Sequence, residues 1–415
     1  MVGWSRMRHP EGVGMNVRGR VLFTAVVAAL AIALVAGPAG ATGWHFGTLD
    51  GASTSGGRVN GDVGQFTSTV MYAGTPHAFY RDSQHGTLRH AWWTGSKWAF
   101  ETLDGDNPAT NVSHTGGDVG TDVKAVIFAG QPHVFYYDVT NGDLRHAWWT
   151  GAQWAFETLD GAASGVSGQS ADTGTDLSLL SYAAGPHLFY YDVTNHALRH
   201  AWWTGAQWGF QTLDGTAQSE SHGTHDVGQY TSAVIYGAGP QVFYYDDTAG
   251  VLRHTWWTGA QWGFETLDGL GGKAGQVNRS VGSDTAATIY GGSPHVWYYD
   301  IDNGDLRHAW WTGSAWGYET LDGAGSTNVG TYDVVTVFGG APHVFYRDET
   351  NKNLRHAWWT GSAWAMETLD GSGSAGQSLT DGDVGLDSSS VNYLGQLQVL
   401  YYDSAGGNLR QAWYG

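Results

Sequence analysis

Between positions 119 and 160 the apolar residues fall in four short runs separated by polar and glycine-rich turns. Runs of this length, rich in aromatic and β-branched residues, predict strands and not helices. In that unit the first run follows Asp118-Val119-Gly120 and extends from Val123 to Phe128. The second is Pro132 to Asp138, the third Leu144 to Thr150, and the fourth Trp154 to Leu159. Asn141-Gly142 predicts a two-residue hairpin, because both positions must then take positive φ, and Asn303-Gly304 repeats the signal. In that register, residues whose numbers sum to 283 face one another, Asp138 opposite Arg145 and Tyr137 opposite His146. One face carries His133, Phe135, Tyr137, His146 and Trp148; the other carries Val134, Tyr136, Asp138, Arg145 and Trp149. A sheet with one solvated face would alternate more cleanly, so two aromatic faces predict sheets stacked between neighbours.

The pattern recurs. Copies of Leu144 stand at Leu88, Leu198, Leu252, Leu306, Leu354 and Leu409, at intervals of 56, 54, 54, 54, 48 and 55 residues. A period of roughly 40–55 residues built from strands is that of propeller blades. The last copy stops at Gly415 without the Trp-x-Phe-Glu-Thr-Leu-Asp-Gly half, and Trp44-His45-Phe46-Gly47-Thr48-Leu49-Asp50-Gly51 supplies that half with no first half before it. The expected fold is therefore all-β: a seven-bladed β-propeller of four-stranded antiparallel blades over 42–415, closed by the N-terminal strand completing the C-terminal blade. Such a closure covers two sheet edges and ties down both termini.

Residues 1–41 read as a secretory signal peptide. Arg6, Arg8, Arg18 and Arg20 form a basic leader, Val21 to Val35 is apolar, and Ala39-Gly40-Ala41 is a small-residue cleavage site. The apolar run is shorter than the ~20 residues that span a bilayer, so export without membrane insertion is expected. Removing the leader lowers Lys+Arg from 19 to 15 and Asp+Glu from 38 to 37, which leaves a charge near −22. Such a field repels phosphate backbones, and nucleic acid is not an expected partner. Without cysteine, the chain has neither disulfides nor thiolate metal sites.

The chemistry-bearing residues are repeated too. Arg145 and its six equivalents read as structural pairs with Asp138 and its equivalents inside each blade. Eleven of 18 histidines occupy two repeat positions: His77, His133, His187, His295 and His343, with Gln241 and Gln398 in the other units, and His90, His146, His200, His254, His308 and His356, with Gln411 in the last. Glutamine keeps hydrogen-bonding capacity and cannot titrate, which favours donor and acceptor duty over acid–base work. Glu101, Glu157, Glu265, Glu319 and Glu367 recur with Gln211 and Gly47 at the same position, whereas a glycosidase needs one differentiated carboxylate pair. His222-Gly223-Thr224-His225-Asp226 occurs once, in a connecting loop, and no metal or other cofactor is expected. Of the 22 tryptophans, 18 fill three positions in each of the six complete units; beside hydrogen-bonding groups, such rings also suit the apolar face of a sugar.

The units, with Leu-x-His-x-Trp-Trp-x-Gly followed by Trp-x-x-Glu-x-Leu-x-Gly, resemble those of the seven-bladed propeller lectins of the Photorhabdus type over 43–415. Six-bladed fucose lectins of the Aleuria type are similar more distantly, but the Arg and Glu that hold the sugar there are His133 and His146 and their equivalents here. The resemblance implies a secreted, non-catalytic, multivalent carbohydrate-binding protein, with fucosylated or O-methylated glycans bound between blades. The candidate binding residues are His90, Trp93 and Trp98; His146, Trp149 and Trp154; His200, Trp203 and Trp208; His254, Trp257 and Trp262; His308, Trp311 and Trp316; and His356, Trp359 and Trp364. The composite blade, with Gln411, Tyr414 and Gly47, departs most and is expected to be silent. The alternative is a protein-interaction scaffold, docking other secreted proteins or serving in a larger complex or toxin particle, since propellers serve both roles.

Overall fold

The computed structural model describes residues 43–105, 114–161, 165–216, 219–221, 223–323, 325, 327–371, 380 and 382–415; the expected leader lies outside them. Within these residues 28 strands form seven four-stranded antiparallel sheets. Six blades take consecutive strands: blade 1 (63–104), blade 2 (119–160), blade 3 (173–214), blade 4 (227–268), blade 5 (281–322) and blade 6 (329–370). Blade 7 combines Val384–Tyr393, Gln396–Asp403 and Asn408–Tyr414 with Trp44–Asp50 as its outermost strand. Trp44 pairs with Tyr414 and Phe46 with Ala412, and Gly43 and Gly415 exchange backbone hydrogen bonds of 3.0 and 3.2 Å. The ring is closed as the split repeat requires.

The first strands of adjacent blades pack side by side around the axis. Each bears one residue in the left-handed region, in chain order Phe66, Asp122, Asp176, Tyr230, Asp284, Tyr332 and Asp387, with φ between 49° and 56°. The aspartates among them receive the backbone N–H of the next blade, as in Asp122 Oδ1 to Asp176 N at 2.9 Å and Asp176 Oδ1 to Tyr230 N at 2.9 Å. Just before this bulge stands a glycine at positive φ. At Gly174 a Cβ would come within 2.8 Å of Leu144 Cβ on the preceding blade, so only glycine allows that approach. Apolar residues from both partners fill each interface: Phe135, Leu144 and Leu159 of blade 2 meet Leu177, Leu188 and Tyr190 of blade 3.

Two expectations change. The hairpin of blade 2 pairs His133 with Trp148, Phe135 with His146 and Asp138 with Asp143, so paired numbers sum to 281 and the loop has four residues, 139–142. Gly142 alone enters the left-handed region. Asp138 is the cause: its Oδ1 accepts Asn141 N–H at 3.1 Å and its Oδ2 accepts Asn141 Nδ2 at 2.8 Å, which stabilises the longer turn. A shift of two residues leaves every side chain on its face, so the two faces stand as expected.

The second change concerns arginine. Arg145 meets Asp104 of blade 1, Nε to Oδ2 at 3.1 Å, and Tyr136 donates to the same oxygen at 2.6 Å. Asp104 Oδ1 takes Gly105 N–H at 3.0 Å. The same bracket recurs at Asp50, Asp160, Asp214, Asp268, Asp322 and Asp370, each accepting the tyrosine hydroxyl and arginine of the next blade. The aspartate at the end of the fourth strand thus ties blade to blade, while Asp138 serves its turn. The expected pair inside the blade persists in blade 4, where Arg253 Nη1 also donates to Asp246 Oδ2 at 3.4 Å, and at 4.0 and 3.9 Å for Arg199–Asp192 and Arg355–Asp348.

Candidate functional site

A relay of polar side chains crosses six of the seven blades from the second strand to the fourth. In blade 1 His77 Nδ1 lies 2.9 Å from His90 Nε2, and His90 Nδ1 lies 2.8 Å from Glu101 Oε1. Trp154 of blade 2 donates Nε1–H to the same Glu101 oxygen at 3.1 Å. Antiparallel pairing sets this geometry, since Phe79 faces His90 and His90 faces Glu101 on one side of the sheet. Phe79 and Trp92 stack on His90 at centroid distances of 4.6 and 4.8 Å, and the edge of Trp154 meets it at 5.6 Å. The relay repeats as His295–His308–Glu319 with Trp364, and as His343–His356–Glu367 with Trp44. His133–His146–Glu157 follows the same path in blade 2.

The remaining blades vary it. In blade 4, Gln241 Nε2 donates to Tyr236 O at 3.1 Å, so its Oε1 faces His254 Nε2 at 2.9 Å, and His254 Nδ1 faces Glu265 Oε1 at 3.0 Å. In blade 3, Gln211 Nε2 lies 3.0 Å from His200 Nδ1. In blade 7, Gln411 donates to Gln398 at 2.8 Å, and Gly47 stands where the carboxylate would be.

Burial sets the titration of the relays. It lowers the second-strand imidazoles to about 4 at His77, His187, His295 and His343 and to about 3 at His133. Burial pushes Glu265 upward, but the His254 hydrogen bond and charge and the Trp316 N–H more than reverse this, leaving it below the usual carboxylate range. Glu101, Glu319 and Glu367 behave alike. Each of these three takes both bonds on Oε1, and among the described residues no hydrogen bond falls on the second oxygen. That oxygen is an ionised acceptor with its position fixed.

Cavities open beside the relays. Between blades 4 and 5, one of about 430 Å³ is bounded by Gln241, His254, Trp256, Trp257 and Glu265 on one side and by Pro294, Trp311 and Trp316 on the other. Between blades 5 and 6, one of about 270 Å³ joins His295, His308, Trp310 and Glu319 to Pro342, Trp359 and Trp364. A third, of about 540 Å³, lies between blades 7 and 1 and is walled by Trp413, Trp93 and Trp98. Each cavity thus draws its expected residues from two neighbouring units. The fourth-strand tryptophan serves the histidine of the preceding blade: Trp154 with His90, Trp208 with His146, Trp262 with His200, Trp316 with His254 and Trp364 with His308. Trp98 stands against Gln398 and Gln411, and His356 meets Trp44. Trp149 and Trp203 pair edge to face with Trp154 and Trp208, as Trp93, Trp257, Trp311 and Trp359 do in their blades.

The glutamates were not among the candidates. Their signal was present in the sequence, because Glu and the third-strand His disappear together in the composite blade. His225 is engaged with Asp246 at 2.8 Å, His222 lies outside the described residues, and no group of three His, Cys, Asp or Glu fit for a metal occurs among the described residues. The cavities between blades 4 and 5 and between blades 5 and 6 can each hold a small ligand that stacks an apolar face on tryptophan and gives hydrogen-bond donors to a carboxylate oxygen.

No protein-family model matches the chain, and no curated protein does. Among solved structures it is similar to a mutant of the Aleuria aurantia lectin in complex with Fucalpha1-6GlcNAc, at 17% identity over 74% of this chain and 96% of that one, with a TM-score of 0.46. YCF48 from Cyanidioschyzon merolae matches at 10% identity over 88% and 98%, with a TM-score of 0.48. A thermostable family-43 glycoside hydrolase matches at 11% over 76% and 95%, with a TM-score of 0.37. Likenesses this distant, to proteins this varied, carry no information on what the chain does.

Proposed function

We propose that the chain is exported and binds glycans, without catalysis, in the cavities between its blades. The observation that carries this reading is the cavity between blades 4 and 5, where Trp257, Trp311 and Trp316 wall a space that the Glu265 carboxylate enters from a relay. A pyranose matches it, with C–H groups for the rings and hydroxyls for the carboxylate, and a methyl or O-methyl substituent would add apolar contact. Each of the two carboxylate-bearing cavities brings one glutamate, whereas glycoside hydrolysis uses two carboxyl groups at a set separation. Repetition around the ring converts weak single sites into avidity for glycan-bearing surfaces.

The test is a glycan array on the chain from Thr42 onward, followed by calorimetry with and without chelator. The expected result is several sites per chain, indifferent to chelator, with Trp316→Ala removing one of them and leaving the rest. A blank array that includes fucosylated and methylated sugars rejects the reading in favour of a protein-docking role.

A further inference from the structure

The cavity between blades 7 and 1 differs in charge from the others. Those between blades 4 and 5 and between blades 5 and 6 are each lined by a glutamate and by neither Lys nor Arg. The cavity of the composite blade is lined by no carboxylate, since Gly47 replaces the glutamate, and by one cation, Arg58. Its relay is the neutral pair Gln411 and Gln398. Without a glutamate side chain the space extends to Thr48, Leu49 and Arg58.

Arg58 is held in place. Its Nε donates to Leu49 O at 2.7 Å, and its guanidinium carbon lies 5.3 Å from the centre of the Phe100 ring. Blades 2 and 5 show what this position does elsewhere. His114 packs on Phe156 at 4.1 Å, and Gln276 donates to Leu267 O at 2.7 Å. The amide of Gln276 therefore suffices for the structural contact, yet arginine stands where the cavity reaches it. Among the described residues no carboxylate pairs with Arg58, and neither of its terminal nitrogens donates to a protein acceptor. A guanidinium anchored through Nε and stacked on a ring keeps a planar pair of donors, which is the geometry that receives a carboxylate through two parallel bonds.

We propose that the composite-blade cavity is a separate subsite for an acidic sugar, a pyranose bearing a carboxylate, which Arg58 receives while Trp93, Trp98 and Trp413 contact the ring. This rests on the glycan reading of the other cavities and changes the ligand class at one of them. The net charge of −19 opposes an anion at long range, but that repulsion is screened beyond about 8 Å in physiological salt, whereas a direct arginine contact is not. The same substitution that makes this blade look degenerate as a neutral-sugar site makes it receptive to an anion.

The experiment is calorimetry with a galacturonic acid trisaccharide and its methyl ester, beside a neutral glycan that binds the other cavities. The acid should bind at one site per chain, weaken with added salt, and exceed its ester by about tenfold or more, as expected for a charge-assisted pair. Arg58→Gln, which installs the residue that blade 5 carries at Gln276, should abolish acid binding and leave neutral binding intact. Gly47→Glu restores the carboxylate where a new Cβ finds Trp413 no nearer than 3.6 Å, and it should exclude the acid as well. Equal binding of acid and ester, acid binding that survives Arg58→Gln, or neutral binding with no acid site overturns the assignment. Failure of both ligands overturns the glycan reading and this assignment with it.

Discussion

His254 shows how much a single residue can decide. Its ring lies between two acceptors, Gln241 Oε1 at 2.9 Å and Glu265 Oε1 at 3.0 Å, and a neutral imidazole has one N–H. Burial disfavours charge on the ring and lowers its pKa, the Glu265 hydrogen bond and charge offsetting this only in part, but the hydrogen-bond count weighs against a neutral ring. A neutral ring would aim a lone pair at an oxygen, losing a buried hydrogen bond and adding repulsion, so the extra proton belongs to the His254–Glu265 pair. His200 is the contrast, because the Gln211 amide can donate to its Nδ1 and leave the ring neutral. Nitrogen-15 NMR at pH 6 should find both His254 nitrogens protonated and one His200 nitrogen bare, and Glu265→Gln should convert the first pattern to the second. A bare nitrogen on His254 in the parent protein would contradict the count. The repeat positions of His and Trp were legible in the sequence, but the partners were not, because one unit's tryptophan completes the site of the unit before it and spacing along the chain is blind to that.

At the level of the strand and its turn, the sequence located the strands and assigned the correct faces, since period-two alternation survives a shift of two residues. Register and charge pairing escaped it. Asn-Gly is a signal for one turn, but Asp138 at the strand end offers the loop N–H groups an acceptor and selects a longer turn. Once Asp138 is occupied there, Arg145 takes Asp104 from the neighbouring sheet. The two aspartate classes should therefore differ in their effect on stability. Asp160 is fully buried and serves Tyr190, Arg199 and Gly161, so Asp160→Ala strands a buried arginine and should cost about 3–5 kcal/mol in denaturant unfolding. Asp138→Ala removes loop bonds and should cost about 1 kcal/mol. Equal losses would mean that the bracket between blades is no stronger than a turn.

For the whole ring, the central aspartates set a pH dependence that composition does not reveal. Burial, then the charge of Asp122, raises Asp176 to about 7, and burial foremost raises Asp387 to about 7 and Asp284 to about 6. A carboxyl whose folded pKa lies above its unfolded value near 3.8 contributes stability that is full below 3.8 and lost as pH rises through the folded value. The second-strand histidines act in the opposite sense. Neutral when folded and protonated when unfolded, they withdraw stability as pH falls from 6.5 toward 4. Asp176→Asn keeps an acceptor for Tyr230 N–H and removes the ionisation, so it should raise the melting temperature at pH 8 by about 2 °C and leave it unchanged at pH 3. An equal shift at both values would show that Asp176 does not titrate in this range. Six whole copies and one split copy were enough to read the ring from the sequence; the crowding of its centre was not, because the aspartates meet only when the blades are assembled.

The closure of blade 7 also orders events during synthesis. Trp44 leaves the ribosome long before its partner Tyr414 is made, so this strand waits for the seventh blade before it can pair. Bringing such distant ends together costs about 5 kcal/mol of chain entropy, recovered only when the seventh sheet forms. Until then both edges stay open to strands of other chains, and a product truncated by its final strand cannot hide them. Ring closure thus makes synthesis of the whole seventh blade a condition of escaping aggregation.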